Sequence, residues 1–187
     1  MFCTALIEEH GGVVPDTREG LATVFDLAKG ADVVVTLGGA SVGDHDLVAE
    51  VGAAQGLTLD FYKIAMRPGK PLMAGRLGDA TLLGLPGNPV SAFVCGVLFL
   101  RPLLWAAQGL PLTPPKRTTA RLGADLGPNG PREHYMRASL TEDGGVIAAD
   151  SQDSSLMSVL AHSDALIVRP PRDPAREAGD RVEIVKL

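Results

Sequence analysis

Asp32-Val33-Val34-Val35-Thr36-Leu37-Gly38-Gly39-Ala40-Ser41-Val42-Gly43-Asp44-His45-Asp46 is the stretch that decides the fold. Its first half is a short, continuous, β-branched run between helical patterns, which predicts a parallel strand covered on both faces. Its second half is a Gly-rich loop, and a helix over about 47–54 follows it. Glycines let a backbone approach an anion with no side chain in the way. Free N–H groups in such a loop, together with the N-terminus of the next helix, form a phosphate cradle. The pattern is neither G-x-G-x-x-G nor a P-loop, since no Gly-Lys-Ser/Thr follows. Taken alone, it has a second reading as a tight strand-to-helix turn.

Upstream, residues 2–10 read as the tail of an amphipathic helix with Phe2, Leu6 and Ile7 on one side. Gly11-Gly12 ends it, and Val13-Val14 reads as a strand remnant. A helix from 17 to about 29, capped by Asp16 or Thr17, is expected to bury Leu21, Val24, Phe25 and Leu27. Downstream, residues 57–66 alternate as a strand that carries Lys63, Ala65 and Arg67 on one face. Residues 72–76 and 80–85 read as a hairpin turning at Gly78-Asp79. Asn88 as cap and Pro89 as first residue open a helix to about 107, kinked at Pro102 and stopped at Gly109.

The Pro-rich stretch Leu110-Pro111-Leu112-Thr113-Pro114-Pro115-Lys116 reads as a connector. Beyond it the segments are short and turn-rich, with strands at 117–122, 133–140, 145–149, 165–170 and 181–186 and one helix at 154–161. The expected architecture is α/β. An open, mostly parallel sheet flanked by helices spans residues 1–109, a linker 110–116, and a small β-rich, barrel-like domain 117–187.

A net charge of −5 argues against a nucleic-acid partner. Cys3 and Cys95 have no zinc or redox spacing and read as two reduced thiols. The apolar run Val90–Leu100 falls short of the roughly 18–20 residues of a membrane span, and Arg101-Pro102 interrupts it. No basic leader opens the sequence, so the expectation is a cytoplasmic protein without a membrane partner.

Two more loops bear on chemistry. Lys63 and the turn Arg67-Pro68-Gly69-Lys70-Pro71 bring three cations close together in an acidic chain, either as an anion site or as a solvated basic loop. Leu85-Pro86-Gly87-Asn88-Pro89-Val90-Ser91 is a further strand-to-helix loop, either capping the helix or offering its N-terminus to an anion. Asp16, Asp44 and Asp46 are placed to cap helices or to hold Mg²⁺ against phosphate oxygens. His45 has no second histidine at metal-ligand spacing and reads as exposed.

The three segments Thr36–Asp46, Lys63–Pro71 and Gly84–Ser91, in this order, resemble molybdopterin molybdenumtransferase, the MoeA family that includes the E domain of gephyrin. The β-rich tail is similar to that family's C-terminal domain, so the likeness covers nearly the whole chain and corresponds to the family's C-terminal portion. The two N-terminal domains and the first strand of the pterin-binding domain, with its acidic loop, have no counterpart here.

The resemblance implies insertion of molybdate into adenylylated molybdopterin with release of AMP, assisted by Mg²⁺, in a homodimer. It implies roles for Asp16 and Asp46 as metal and catalytic residues, and for Lys63, Arg67 and Lys70 as catalytic cations. Gly38, Gly39, Ser41, Val42, Gly43, Asp44, Pro68, Gly69, Pro86, Gly87, Asn88, Pro89 and Ser91 would bind substrate. Leu37 stands where the family has a small polar residue, and Arg67 replaces the commoner Lys, keeping the charge but not the shape. Molybdopterin adenylyltransferase shares the sheet and the Gly-Gly loop but lacks the Arg67–Pro71 loop and the β-rich module. A non-catalytic molybdopterin-binding scaffold is a further alternative.

Overall fold

The structure, a computed structural model, describes residues 12–14, 17–38 and 47–187. The expected helix at 2–10, Cys3, Asp16 and the loop residues Gly39–Asp46, with His45, lie outside the described residues.

The first helix, α1 (Arg18–Leu27), is capped by Thr17, whose hydroxyl oxygen accepts a hydrogen bond from the Gly20 amide at 3.1 Å. Phe25 is buried, but Leu27 is 64% exposed, against expectation. Leu27 stands two residues beyond Phe25, about 200° further round the helix, and so turns away from the sheet. Strand β1 (Val33–Leu37) follows, then α2 (Leu47–Ala54), which an Arg18–Glu50 ion pair ties to α1.

Strands β2 (Leu57–Tyr62), β4 (Met73–Leu77) and β5 (Ala80–Leu85) complete the first sheet, in the order β1-β5-β4-β2. The pair β1–β5 is parallel, while β5–β4 and β4–β2 are antiparallel. The sheet is therefore mixed in direction among its described strands, because the hairpin at Gly78-Asp79 reverses the chain. Strand β5 is central and buried on both faces, with Leu82 turned to one core and Leu83 and Leu85 to the other.

One core cluster lies under α1 and α2, joining Phe25, Val34, Val48, Met73 and Leu82. The other lies under the helical run that starts at Pro89. That run is α3 (Pro89–Cys95), a π-helical turn over Gly96–Leu100, and α4 (Arg101–Ala107). Pro102 lacks an N–H and crowds the preceding carbonyls; the wider turn just before it relieves that conflict, so the run continues. The helical run ends at Ala107, as expected, with Arg101-Pro102 inside it. At 19 residues it is long and apolar enough to cross a membrane by length and composition alone, while Val90, Val94, Cys95, Leu98 and Leu100 are buried in the core.

The expected strand 57–66 divides. Strand β2 stops at Tyr62, and Lys63 adopts a left-handed backbone with φ 70°. The short β3 (Met66–Arg67) then enters a second sheet, parallel to β7 (Glu133–Leu140). Lys63, Ala65 and Arg67 consequently do not share one strand face.

Residues 110–116 form neither helix nor strand. The second sheet runs β3-β7-β9-β10-β6, with β6 (Arg117–Arg121), β9 (Ala165–Arg169) and β10 (Arg181–Lys186), and β8 (Val146–Ala148) pairs with β7. A bridge from Leu122 to Val146 brings the end of β6 to β8 and curls the sheet around Ala138, Ile167 and Ile184. A short helix, α5 (Met157–Ala161), lies before β9. Tyr135, Leu166, Val168 and Val185 of this sheet share a core with Leu83, Leu85, Val94 and Leu98.

Candidate functional site at the carboxyl edge of the first sheet

Sheet register decides which loops meet. Leu37 is opposite Leu85 at the carboxyl ends of β1 and β5. Met73, the first residue of β4, pairs with both Gly84 and Tyr62. The loop after β1, the loop 63–72 and the loop after β5 therefore leave the sheet from the same edge. This is the edge where ligands collect in open α/β sheets.

Two of these loops touch. The Gly38 amide donates to the Leu85 carbonyl at 3.1 Å, extending the ladder by one residue. A Cβ on Gly87 would lie 3.2 Å from the Gly38 Cα, tight enough that a side chain there would push the two backbones apart by a few tenths of an ångström. Gly38 also has φ 85°, a conformation that side chains disfavour. Thr36, two residues earlier, has a buried hydroxyl with no hydrogen-bond partner among the described residues.

The cationic loop is closed at its base. The Lys63 amide donates to the Leu72 carbonyl at 2.9 Å and the Ile64 amide to the Lys70 carbonyl at 3.0 Å. Lys63, Arg67 and Lys70 are exposed, and Lys63 Nζ stands 4.6 Å from the centre of the Tyr62 ring. Gly69 anchors the loop: its φ is 106°, and a Cβ there would fall 2.5 Å from Cys95 Sγ on α3. Cys95 is a buried free thiol, pushed up to about 12 by burial and so kept in its packing role. Pro68 is half-buried beside it.

At the third loop, Pro86 is buried and Gly87 exposed. Asn88 Oδ1 accepts from the Ser91 amide at 3.1 Å and from the Ser91 hydroxyl at 3.2 Å. Pro89 takes the first helical position. Both side chains are thus engaged in capping the buried start of the helical run. Asp16, Gly39, Ser41, Val42, Gly43, Asp44 and Asp46 lie outside the described residues. Among the described residues, no three His, Cys, Asp or Glu side chains gather to hold a metal ion.

The second sheet brings residues to this region that sequence patterning did not single out. Met66 and Arg67 are opposite Glu133 and His134, and the Glu133 amide donates to the Ala65 carbonyl at 3.0 Å. His134 is buried among Arg67, Arg169, Arg137 and Arg132; burial first, and then those four cations, push it down to about 4 and keep it neutral. Arg137 is buried too and donates to the Asp153, Leu156 and Ser151 carbonyls. It thereby holds the segment leading to α5, which packs against α3. A buried arginine with carbonyl partners has no signature in a strand pattern, so only the fold reveals this group.

The chain is similar to known proteins over both of its parts. Residues 5–106 match the family model described as "Probable molybdopterin binding domain", and residues 119–187 match the MoeA C-terminal region (domain IV). The chain is 31% identical over 198 residues to a molybdopterin molybdenumtransferase of Nostoc sp., covering 98% of this chain and 45% of that protein. A Haemophilus influenzae protein of the same name is 42% identical over 99 residues, covering 52% of this chain and 24% of its own length. A molybdopterin biosynthesis MoeA protein from Pyrococcus horikosii superposes with a TM-score of 0.76 at 27% identity, over 94% of this chain and 42% of that one. The chain thus spans less than half the length of these relatives. By the family model that matches residues 5–106, the chain belongs to the molybdopterin-binding domain family, joined here to a C-terminal region of the MoeA type.

Proposed function

We propose that this chain serves molybdenum cofactor biosynthesis, acting at the insertion of molybdate into adenylylated molybdopterin with release of AMP. The observation that carries the reading is the meeting of Gly38 and Gly87 at an edge that also bears the Lys63–Leu72 loop. Two bare backbones in contact let a ligand approach the loops that leave them, and exposed cations stand at the same edge.

In this reading Lys63, Arg67 and Lys70 hold the phosphate and molybdate oxyanions, stabilising charge as the phosphoanhydride breaks. Gly38, Gly39, Ser41, Val42, Gly43 and Asp44 line the pterin-nucleotide, with Pro68 and Gly69 fixing the cationic loop. Pro86, Gly87, Asn88, Pro89 and Ser91 shape the third wall through the helix cap. Asp16 and Asp46 are assigned to Mg²⁺, which would neutralise phosphate oxygens. The names of the Nostoc and Haemophilus relatives support a transferase reaction over pterin binding alone. We also place the protein in the cytoplasm and expect it to work as a homodimer.

The test is molybdate-dependent AMP release from adenylylated molybdopterin, with and without a supplied N-terminal half of a relative. AMP release in either arm that falls on Lys70→Ala agrees with the reading. Binding of the nucleotide without AMP release in both arms would leave a pterin-binding protein and contradict the transferase assignment.

A further inference from the structure

One cavity lies away from the loop edge, on the outer face of the second sheet. It measures about 250 Å³ and is lined by Thr119, Arg121 and Arg181 together with the turn Asp143-Gly144-Gly145. Arg121 of β6 is directly opposite Arg181 of β10 in the antiparallel register. Like charges directly opposite on a ladder destabilise it.

Asp143 in the cavity lining, the acids flanking Arg181 in sequence, and Asp125 all have partners of their own. Glu183 pairs with Arg117 at 3.1 Å. Asp143 accepts from the Thr141 hydroxyl and the Gly145 amide. Asp180 accepts from the Glu177 amide and Asp125 from the Ala178 amide. The Thr141 hydroxyl first, and Arg121 through space, hold the Asp143 carboxyl below its ordinary range, but neither the Arg121 nor the Arg181 guanidinium makes a hydrogen bond or ion pair among the described residues. Both guanidiniums are exposed, as is the Thr119 hydroxyl beside them.

We propose that Arg121 and Arg181 form an oxyanion site, in which their two guanidinium forks and the Thr119 hydroxyl hold a phosphoryl group. A guanidinium presents paired donors matched to phosphate oxygens, and a shared anion removes the repulsion between the two strands. Two guanidiniums against the single Asp143 carboxylate leave the site modestly positive, within a chain of net charge −5. The site is independent of the reading of the loop edge.

Amide resonances of the isotopically labelled protein, followed while inorganic phosphate is added, test this. Saturable shifts at Thr119, Arg121, Gly144 and Gly145 are expected, with affinity lowered roughly tenfold by Arg121→Gln or Arg181→Gln. Lys70→Gln should leave the shifts at these amides unchanged. Repeating the titration with AMP separates the sources: tighter binding than phosphate identifies a nucleotide, and equal binding identifies the free ion. No saturable shift at these amides, or a shift that survives in the double Arg variant or disappears in Lys70→Gln, would overturn the proposal.

Discussion

The backbone of Gly38, at the end of β1, lies so close to Gly87, at the end of β5, that a Cβ on Gly87 would sit 3.2 Å from the Gly38 Cα. Both positions are followed by loops assigned to the ligand, so the contact fixes how far apart the two walls stand. The contacted atom is backbone, continuous with the Gly38–Leu85 hydrogen bond, and cannot rotate away as a side chain would. Gly87→Ala is therefore expected to cost about 1–3 kcal/mol by overpacking. It should also weaken binding of adenylylated molybdopterin. Urea denaturation and calorimetry read the two effects; unchanged stability and affinity would show that the loops separate freely.

Gly69 supplies the corresponding constraint for the cationic loop. Gly69→Ala combines a left-handed backbone with a clash against Cys95 Sγ, and should destabilise by about 2–4 kcal/mol. The Cys95→Ala change removes the clashing atom but not the backbone strain. In a double-mutant cycle the pair should then be less destabilised than the sum of the singles, by about 1 kcal/mol or more. Additivity would place the cost in the backbone alone.

His134 makes stability depend on pH. Its folded value, about 4, lies below the ordinary 6.5, so between these values the unfolded chain binds the extra proton. Stability should fall by about 3 kcal/mol as pH drops from 7 to 4. Replacing His134 with Gln should flatten that slope, whatever it does to stability at pH 7. Urea unfolding at pH 7.5, 6 and 5 measures it, and equal slopes in both proteins would contradict the assignment.

Asp173 acts at lower pH. Its carboxylate is buried, held well below the ordinary 3.8 first by Arg176 and also by Arg169, which pairs with it at 2.5 Å. Its contribution is present above 3.8 and is lost as pH falls through the lower folded value. Asp173→Ala leaves Arg169 buried without its partner and is expected to cost about 3–5 kcal/mol at pH 7. A thermal melt above pH 5 that matches the unchanged protein would contradict this.

The helices and strands of this fold were legible wherever one rule of patterning governed a segment. The β-branched run at Val33–Leu37, the hairpin at Gly78-Asp79 and the strands from Arg117 onward follow from alternation and turn residues. Two features were not legible. The alternation at 57–66 continues past Tyr62, yet Lys63 turns left-handed because the chain must pass from one sheet to the other. Pro102 marks an irregularity in the helix, but its form, a π turn over Gly96–Leu100, has no signature in the local pattern. Of the site, the loops and their cations could be found from composition. The buried Arg137 and His134 beside them depend on long-range register and on burial, which no local pattern encodes.

The central claim is that three loops at one sheet edge bind one nucleotide. Isothermal calorimetry of the chain with adenylylated molybdopterin tests it most directly. The account predicts saturable binding, weakened roughly tenfold or more by Lys70→Ala and by Gly87→Ala, each on a different loop. Absence of binding by the folded protein, or affinity unchanged in both variants, would contradict it.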